Sequence, residues 1–154
     1  MLDEPQCSYR HTQWAPWHMV LDSIGVAFLV AAWLSDVPPF ARWLSVGMAT
    51  LFLLLGASFH HLGVEDKGDH LDIRFGPLPL FRRRVWYVNI RAVEVGRTVL
   101  LESWGIHMSP RGGWVWNIWG RDCVVIHLEP GTLRLGTDDA TNLEAFLRQR
   151  IGSA

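Results

Sequence analysis

The chain has 154 residues, 49% of them hydrophobic and 19% charged, with a formal net charge of −1. This length suffices for one soluble domain, or for less than one if part of it lies in lipid. The near-neutral balance provides no bulk field for nucleic acid, and the thin charge suggests an apolar segment diluting an ordinary domain.

The charge is unevenly placed. Before His60 the strong bases are Arg10 and Arg42, and the other twelve follow. Nine tryptophans are many for this length, and tryptophan favours membrane interfaces, where one ring edge stays wet. The two cysteines, Cys7 and Cys123, lack CxxC or zinc-like spacing. One falls in an expected tail and the other in an expected strand, so no disulfide is expected and a reducing compartment is the plainer reading.

Residues 1–16 read as a tail. Residues 17–60 read as a helical hairpin, with helices over about 17–35 and 40–59. The two segments, WHMVLDSIGVAFLVAAWLS and FARWLSVGMATLFLLLGASF, are each long enough to cross the ~30 Å of bilayer hydrocarbon. Each has one strong charge near its start, Asp22 and Arg42, within reach of an interface. Trp14, Trp17, Trp33 and Trp43 sit at or near segment ends, as in an aromatic belt. The linker Asp36-Val37-Pro38-Pro39 cannot continue a helix, because proline lacks the donor and restricts its predecessor.

A signal peptide is the rival reading of the first segment. The preceding residues lack a basic n-region and a second apolar run follows at once. A buried hairpin in a soluble protein is the other rival, although Leu51-Phe52-Leu53-Leu54-Leu55 has no polar face. Lys67, Arg74 and Arg82 to Arg84 follow the second helix closely. The positive-inside rule therefore places both the tail and the C-terminal domain in the cytoplasm.

Residues 61–154 read as a small β domain closed by a helix. Leu71, Ile73 and Phe75 alternate with Asp72, Arg74 and Gly76 as on a half-buried strand. Gly76-Pro77-Leu78-Pro79 is a turn or loop. Further strands are expected over 84–88, 90–95, 99–102, 106–108, 114–119, 123–128 and 132–135, with Glu129-Pro130-Gly131 as a turn. Short strands at near-regular spacing indicate a sandwich or small barrel. A helix over about 139–151 follows, with Asp138 or Asp139 as cap or Thr141 and Glu144 as a capping box, and with Leu143, Phe146, Leu147 and Ile151 on its apolar face.

The segments LDIRFGPLPLFRRRVWYVNI, WGIHMSPRGGWVWNIWG and VVIHLEPGTLRLGTDDATNLEAFL span most of residues 71–147. With the preceding helical hairpin, they resemble the bacterial membrane proteins that carry a pleckstrin-homology-like domain. The resemblance implies an all-β, curled antiparallel barrel or sandwich capped by the C-terminal α-helix. It implies little about activity. Where that pattern often has arginine after Gly-Ile, this chain has His107.

Several residue groups are candidates for function. Arg82, Arg83 and Arg84 are expected in the loop between the first two strands. The resemblance implies that this loop meets phosphorylated headgroups, and arginine suits bidentate phosphate contact. The neighbouring Leu78, Leu80 and Phe81 would dip into the interface. A solvated strand edge that also signals topology is the plain alternative. His60 and His61, with Glu65, Asp66, Asp69 and His70, form the densest set of metal-ligand types, but their spacing fits no standard zinc pattern. A polar junction of loop residues leaving the second helix is the expected arrangement.

Asp22 reads as an interfacial anchor or as a contact to a partner helix. Gly47, Ala49, Gly56, Ala57 and Ser58 are small enough for close helix packing. Trp114, Trp116 and Trp119 read as packing residues or as a stacking platform. Gly112-Gly113 reads as a turn, and His127 as a lone strand histidine.

The sequence thus leads to a membrane-tethered, non-enzymatic binding or scaffolding module with no cofactor and no nucleic-acid partner. Its contacts would be membrane lipids and a protein partner or a second copy, through sheet edges and the loops around 76–84 and 110–114. Anionic-lipid contact through Arg82 to Arg84 is the alternative within binding. A small membrane enzyme or transporter accessory using Asp22 and His60-His61 is the alternative of another class.

Overall fold

The computed structural model describes residues 8–34, 36–99 and 102–152. Cys7, Leu100 and Leu101 lie outside them. The chain divides into two compact units. One is helical and holds residues 15–61 with 75–81. The other holds the strand Arg10–Trp14, residues 62–74 and the chain from Arg82 onward.

The helical unit is a hairpin of α1 (Trp17–Leu34) and α2 (Pro39–Ser58). Both are long and apolar enough to cross a membrane, and only 11% of each apolar window is buried within the protein. Val20, Val26, Val30, Leu44, Leu51 and Leu54 therefore face outward. Small residues set the helix seam. A Cβ on Gly25 would lie 2.8 Å from Leu53 Cγ, and one on Gly56 2.1 Å from Asp22 Oδ1. Ala32 and Ala49 are buried there, and the rings of Phe28 and Phe52 stack at 5.9 Å. Of the expected small residues, Ala49, Gly56 and Ser58 are buried, whereas a Cβ on Gly47 would meet nothing within 4 Å. The hydroxyls of Ser23, Thr50 and Ser58 donate to carbonyls four residues earlier, so these polar groups are satisfied within their own helices.

The β unit contains two sheets and a helix. The first sheet has the order β1-β2-β3-β4: β1 is Arg10–Trp14, β2 His61–Asp66, β3 His70–Gly76 and β4 Arg82–Trp86. The second has the order β5-β8-β9-β7-β6: β5 is Ile90–Arg97, β6 Gly105–Met108, β7 Trp114–Asn117, β8 Asp122–Leu128 and β9 Thr132–Gly136. Pairing is mostly antiparallel, with β7 and β9 parallel. Helix α3 (Ala140–Gly152) packs on β5 and β8 and buries Leu143, Phe146 and Leu147. These join Leu71, Ile73, Ile126, Leu133 and Leu135 in the core. Each fully buried aliphatic side chain is worth ~1.5–3 kcal/mol relative to exposure.

Two strands depart from the sequence expectation. Arg10–Trp14, expected as tail, forms an edge strand beside β2, and Asp66 N–H donates to Tyr9 O at 2.8 Å. RHTQW has no apolar alternation, so tertiary pairing decides its state. Glu65 and Asp66, expected in a junction loop, lie in β2. Its signal, Leu62 and Val64 alone, is too short to read as a period. Asp69 is in the β2–β3 turn, and His70 opens β3.

Other boundaries shift. Of the strand expected over 99–102, Val99 is irregular and Leu100 and Leu101 lie outside the described residues. Glu102 closes a turn, its N–H donating to Val99 O at 2.8 Å. β7 stops at Asn117 because that side chain takes over the following loop. Its Nδ2 donates to Gly120 O at 2.8 Å, and its Oδ1 accepts from Trp119 N–H at 3.1 Å.

A buried carboxylate ties α3 to the first sheet. Asp66 accepts from Tyr87 Oη at 2.6 Å, Arg150 Nη2 at 2.6 Å and Gly68 N–H at 2.8 Å. Burial alone would raise its pKa, but these three donors and the Arg150 charge outweigh burial and hold the carboxyl below its usual range.

Candidate functional site

The arginine triplet is the first site predicted from sequence. It does not lie in a loop. Arg82, Arg83 and Arg84 are the first three residues of β4, paired with Arg74, Ile73 and Asp72 of β3. A strand sends alternate side chains to opposite faces, so the triplet is split. Arg82 reaches Asp72 in a fork, Nε to Oδ1 at 2.7 Å and Nη2 to Oδ2 at 2.9 Å. Asp72 is buried. Burial pushes its carboxyl up, but the hydrogen bonds and charge of Arg82, with Arg74 and His70 behind them, hold it below its usual range. Arg82 is therefore a structural counter-ion.

Arg83 and Arg84 form no ion pair among the described residues. Arg83 is half-buried, and desolvation lowers its pKa. Both line a cleft of about 180 Å³ between β4 and the β8–β9 turn, completed by Val85, Trp86, Asn89 and residues 128–130. Its one carboxylate, Glu129, is paired with Arg91. Neither arginine lining the cleft is ion-paired among the described residues, and a guanidinium suits anionic oxygens, although as strand neighbours the two side chains leave on opposite faces.

The loop residues expected beside the arginines separate. Leu80 is exposed, whereas Phe81 packs on Phe59 with ring centroids 5.3 Å apart. Phe81 is committed to the helical unit.

A second feature lies at the outer edge of the second sheet. Among the described residues, β6 pairs with β7 on one side only. Met108 stands opposite Trp114, and Trp104 precedes the strand. These three are 66%, 43% and 56% exposed, respectively. The edge sequence Gly105-Ile106-His107-Met108 has neither the lysine nor the proline that usually blunts an edge. Of the tryptophans expected to pack or stack, Trp116 is in the core, while Trp114 and Trp119 face out.

A third group lies in the helical unit. Asp22 packs against Gly56, and the rings of His18 and His60 lie 4.1 Å apart. His61 is 6.1 Å from His60. The helix seam draws His18 in, and its i, i+4 spacing with Asp22 was the available signal. Among the described residues no three histidine, cysteine or acidic side chains converge as a metal ion requires. In the β unit, Cys123 is a buried free thiol whose pKa burial raises to about 11, an inert state.

The loop carrying Glu102 is internally clamped. The buried Glu102 carboxylate accepts from Ser109 Oγ, from Arg111 Nη2 and from Val99 N–H. Burial would raise its pKa, but these donors bring it down to about 2. This clamp positions β6 and the turn before β7.

Compared with known proteins, the chain matches no protein-family model and no curated protein. The two sheets, the closing helix and the two apolar helices therefore stand as observed, without a family assignment.

Proposed function

We propose that the protein is a membrane-tethered, non-enzymatic binding module. Its helical hairpin spans a bacterial inner membrane, and its pleckstrin-homology-like β unit holds a protein partner in the cytoplasm. The observation that carries this reading is the β6 edge, unpaired on its outer side among the described residues, beside exposed Trp104, Met108 and Trp114. An extended segment adding to β6 would satisfy the free backbone groups, and the three side chains would give it apolar contacts. The outward apolar faces of α1 and α2 support the tether. The bases that follow α2 support the cytoplasmic orientation.

The test is native mass spectrometry on the full chain extracted gently from its own membrane. A stoichiometric protein partner is expected, and Met108→Lys should abolish it by placing a charge on the edge. Retention of that partner in Met108→Lys refutes the edge reading.

The unmatched Arg83 and Arg84 favour a second reading, contact with anionic phosphate headgroups. Retained acidic lipid without a protein partner, released by Arg83→Gln with Arg84→Gln, would select it.

A further inference from the structure

The connected end of the helical hairpin contains a groove that neither reading uses. It encloses about 390 Å³ and is lined by Leu29, Ala32 and Trp33 of α1 and Arg42, Trp43 and Val46 of α2. That volume falls within the ~300–1,000 Å³ of small-molecule sites. Ala32 is buried at its floor, and the small side chain leaves the space open. Trp33 and Trp43 flank it and are 83% and 74% exposed.

The groove has a strongly polarised lining. Five of the six residues are apolar or aromatic, and the sixth is a guanidinium. Arg42 forms no ion pair among the described residues. It lies in the first turn of α2, whose N-terminus has Pro38 in the cap position and no side-chain cap. The positive end of the helix dipole and the arginine therefore act at the same place. An apolar slot leading from one uncompensated cation matches an amphiphile with an apolar chain and an anionic head. A free anion leaves the slot empty. A neutral apolar molecule leaves Arg42 unmatched, and a zwitterionic lipid brings a cation of its own.

We propose that this groove is a selective site for an anionic phospholipid, with one acyl chain between α1 and α2 and the phosphate on Arg42. Trp33 and Trp43 would sit at the headgroup level, where tryptophan is favoured. The inference rests on the hairpin lying in a bilayer, but not on what the β unit binds.

The experiment reconstitutes the full chain in phosphatidylcholine vesicles and titrates in phosphatidylglycerol or phosphatidylcholine carrying brominated acyl chains. Bromine quenches nearby tryptophan. The signal of Trp33 and Trp43 is obtained by difference from a Trp33→Phe, Trp43→Phe variant. Brominated phosphatidylglycerol is expected to quench this signal at a several-fold lower mole fraction than brominated phosphatidylcholine. Arg42→Gln should merge the two curves, and Ala32→Leu, which fills the floor, should do the same with Arg42 intact.

Coincident curves for the unsubstituted chain would mean ordinary bulk-lipid contact and overturn the proposal. Absence of quenching by either lipid, in protein that resists alkaline extraction, would also overturn it and put protein, such as a second copy, in the groove. Release of the protein by alkaline wash would refute the membrane-spanning reading itself.

Discussion

Glu102 offers the sharpest energetic test of the β unit. Its carboxylate is buried between the Ser109 hydroxyl and the Arg111 guanidinium, and its pKa falls from an ordinary 4.5 to about 2. At ~1.36 kcal/mol per pH unit, this drop corresponds to about 3 kcal/mol of folding stability at neutral pH. Arg111 is 46% exposed and water screens its charge, so about 2 kcal/mol is the better expectation.

The sign follows from the depressed value. The contribution is complete above pH 4.5 and is lost as pH falls toward 2. Arg111→Ala strands a buried carboxylate and should cost about 2–3 kcal/mol at pH 7. Glu102→Gln should flatten the stability profile between pH 4.5 and 2. Denaturant unfolding of the full chain in mild detergent, followed by tryptophan fluorescence, reads both effects. An Arg111→Ala cost below about 0.5 kcal/mol, the range of neutral surface changes, would refute the clamp.

Other substitutions test separate parts of the fold. Asp66→Asn should cost about 3 kcal/mol in the same unfolding assay, because it removes the charged partner of Arg150 and of the Tyr87 hydroxyl in a buried setting. The Asp66 contribution should also fade as pH drops below the usual aspartate range, since its pKa is depressed. Gly113→Ala should cost at least ~2 kcal/mol, because φ is +83° and the new Cβ would lie 2.3 Å from Thr132 O. Loss of the near-UV signal of Trp116 would report separation of β7 from β9. Arg82→Ala should lower the melting temperature by leaving Asp72 unpaired, whereas Arg84→Ala should leave it unchanged. Equal effects of these two would contradict the division of roles within β4.

Much of the architecture was legible because its signals are local. The helical hairpin follows from two long apolar runs broken by Pro38-Pro39. β8 and β9 follow from CVVIHL and TLRL around a Pro-Gly turn, and α3 from its apolar spacing. The missed pieces depend on distant partners. β1 contains buried Gln13, and its amide finds a carbonyl at Trp119, 106 residues away. No local pattern announces such a strand. Of the expected strand over 99–102, Leu100 and Leu101 lie outside the described residues, and its two ends are not strand. Glu102 is recruited by Ser109 and Arg111, partners that no local pattern announces.

The arginine triplet shows why a candidate site is harder to read than a fold. Composition treats three adjacent arginines as one positive patch. Strand alternation assigns them to two faces, and the neighbours on each face decide what each cation does. Asp72 was visible only as the polar position of an alternating strand, yet it is buried and removes Arg82 from any ligand role. Arg83 was the least conspicuous member by pattern, yet its half-burial without an ion pair makes it a stronger candidate for an anion. The same logic applies to Arg42, whose surroundings are apolar. A cation in such a place must find its counter-charge outside the chain or remain at the water interface. What separates a binding arginine from a structural one here is the location of the nearest carboxylate.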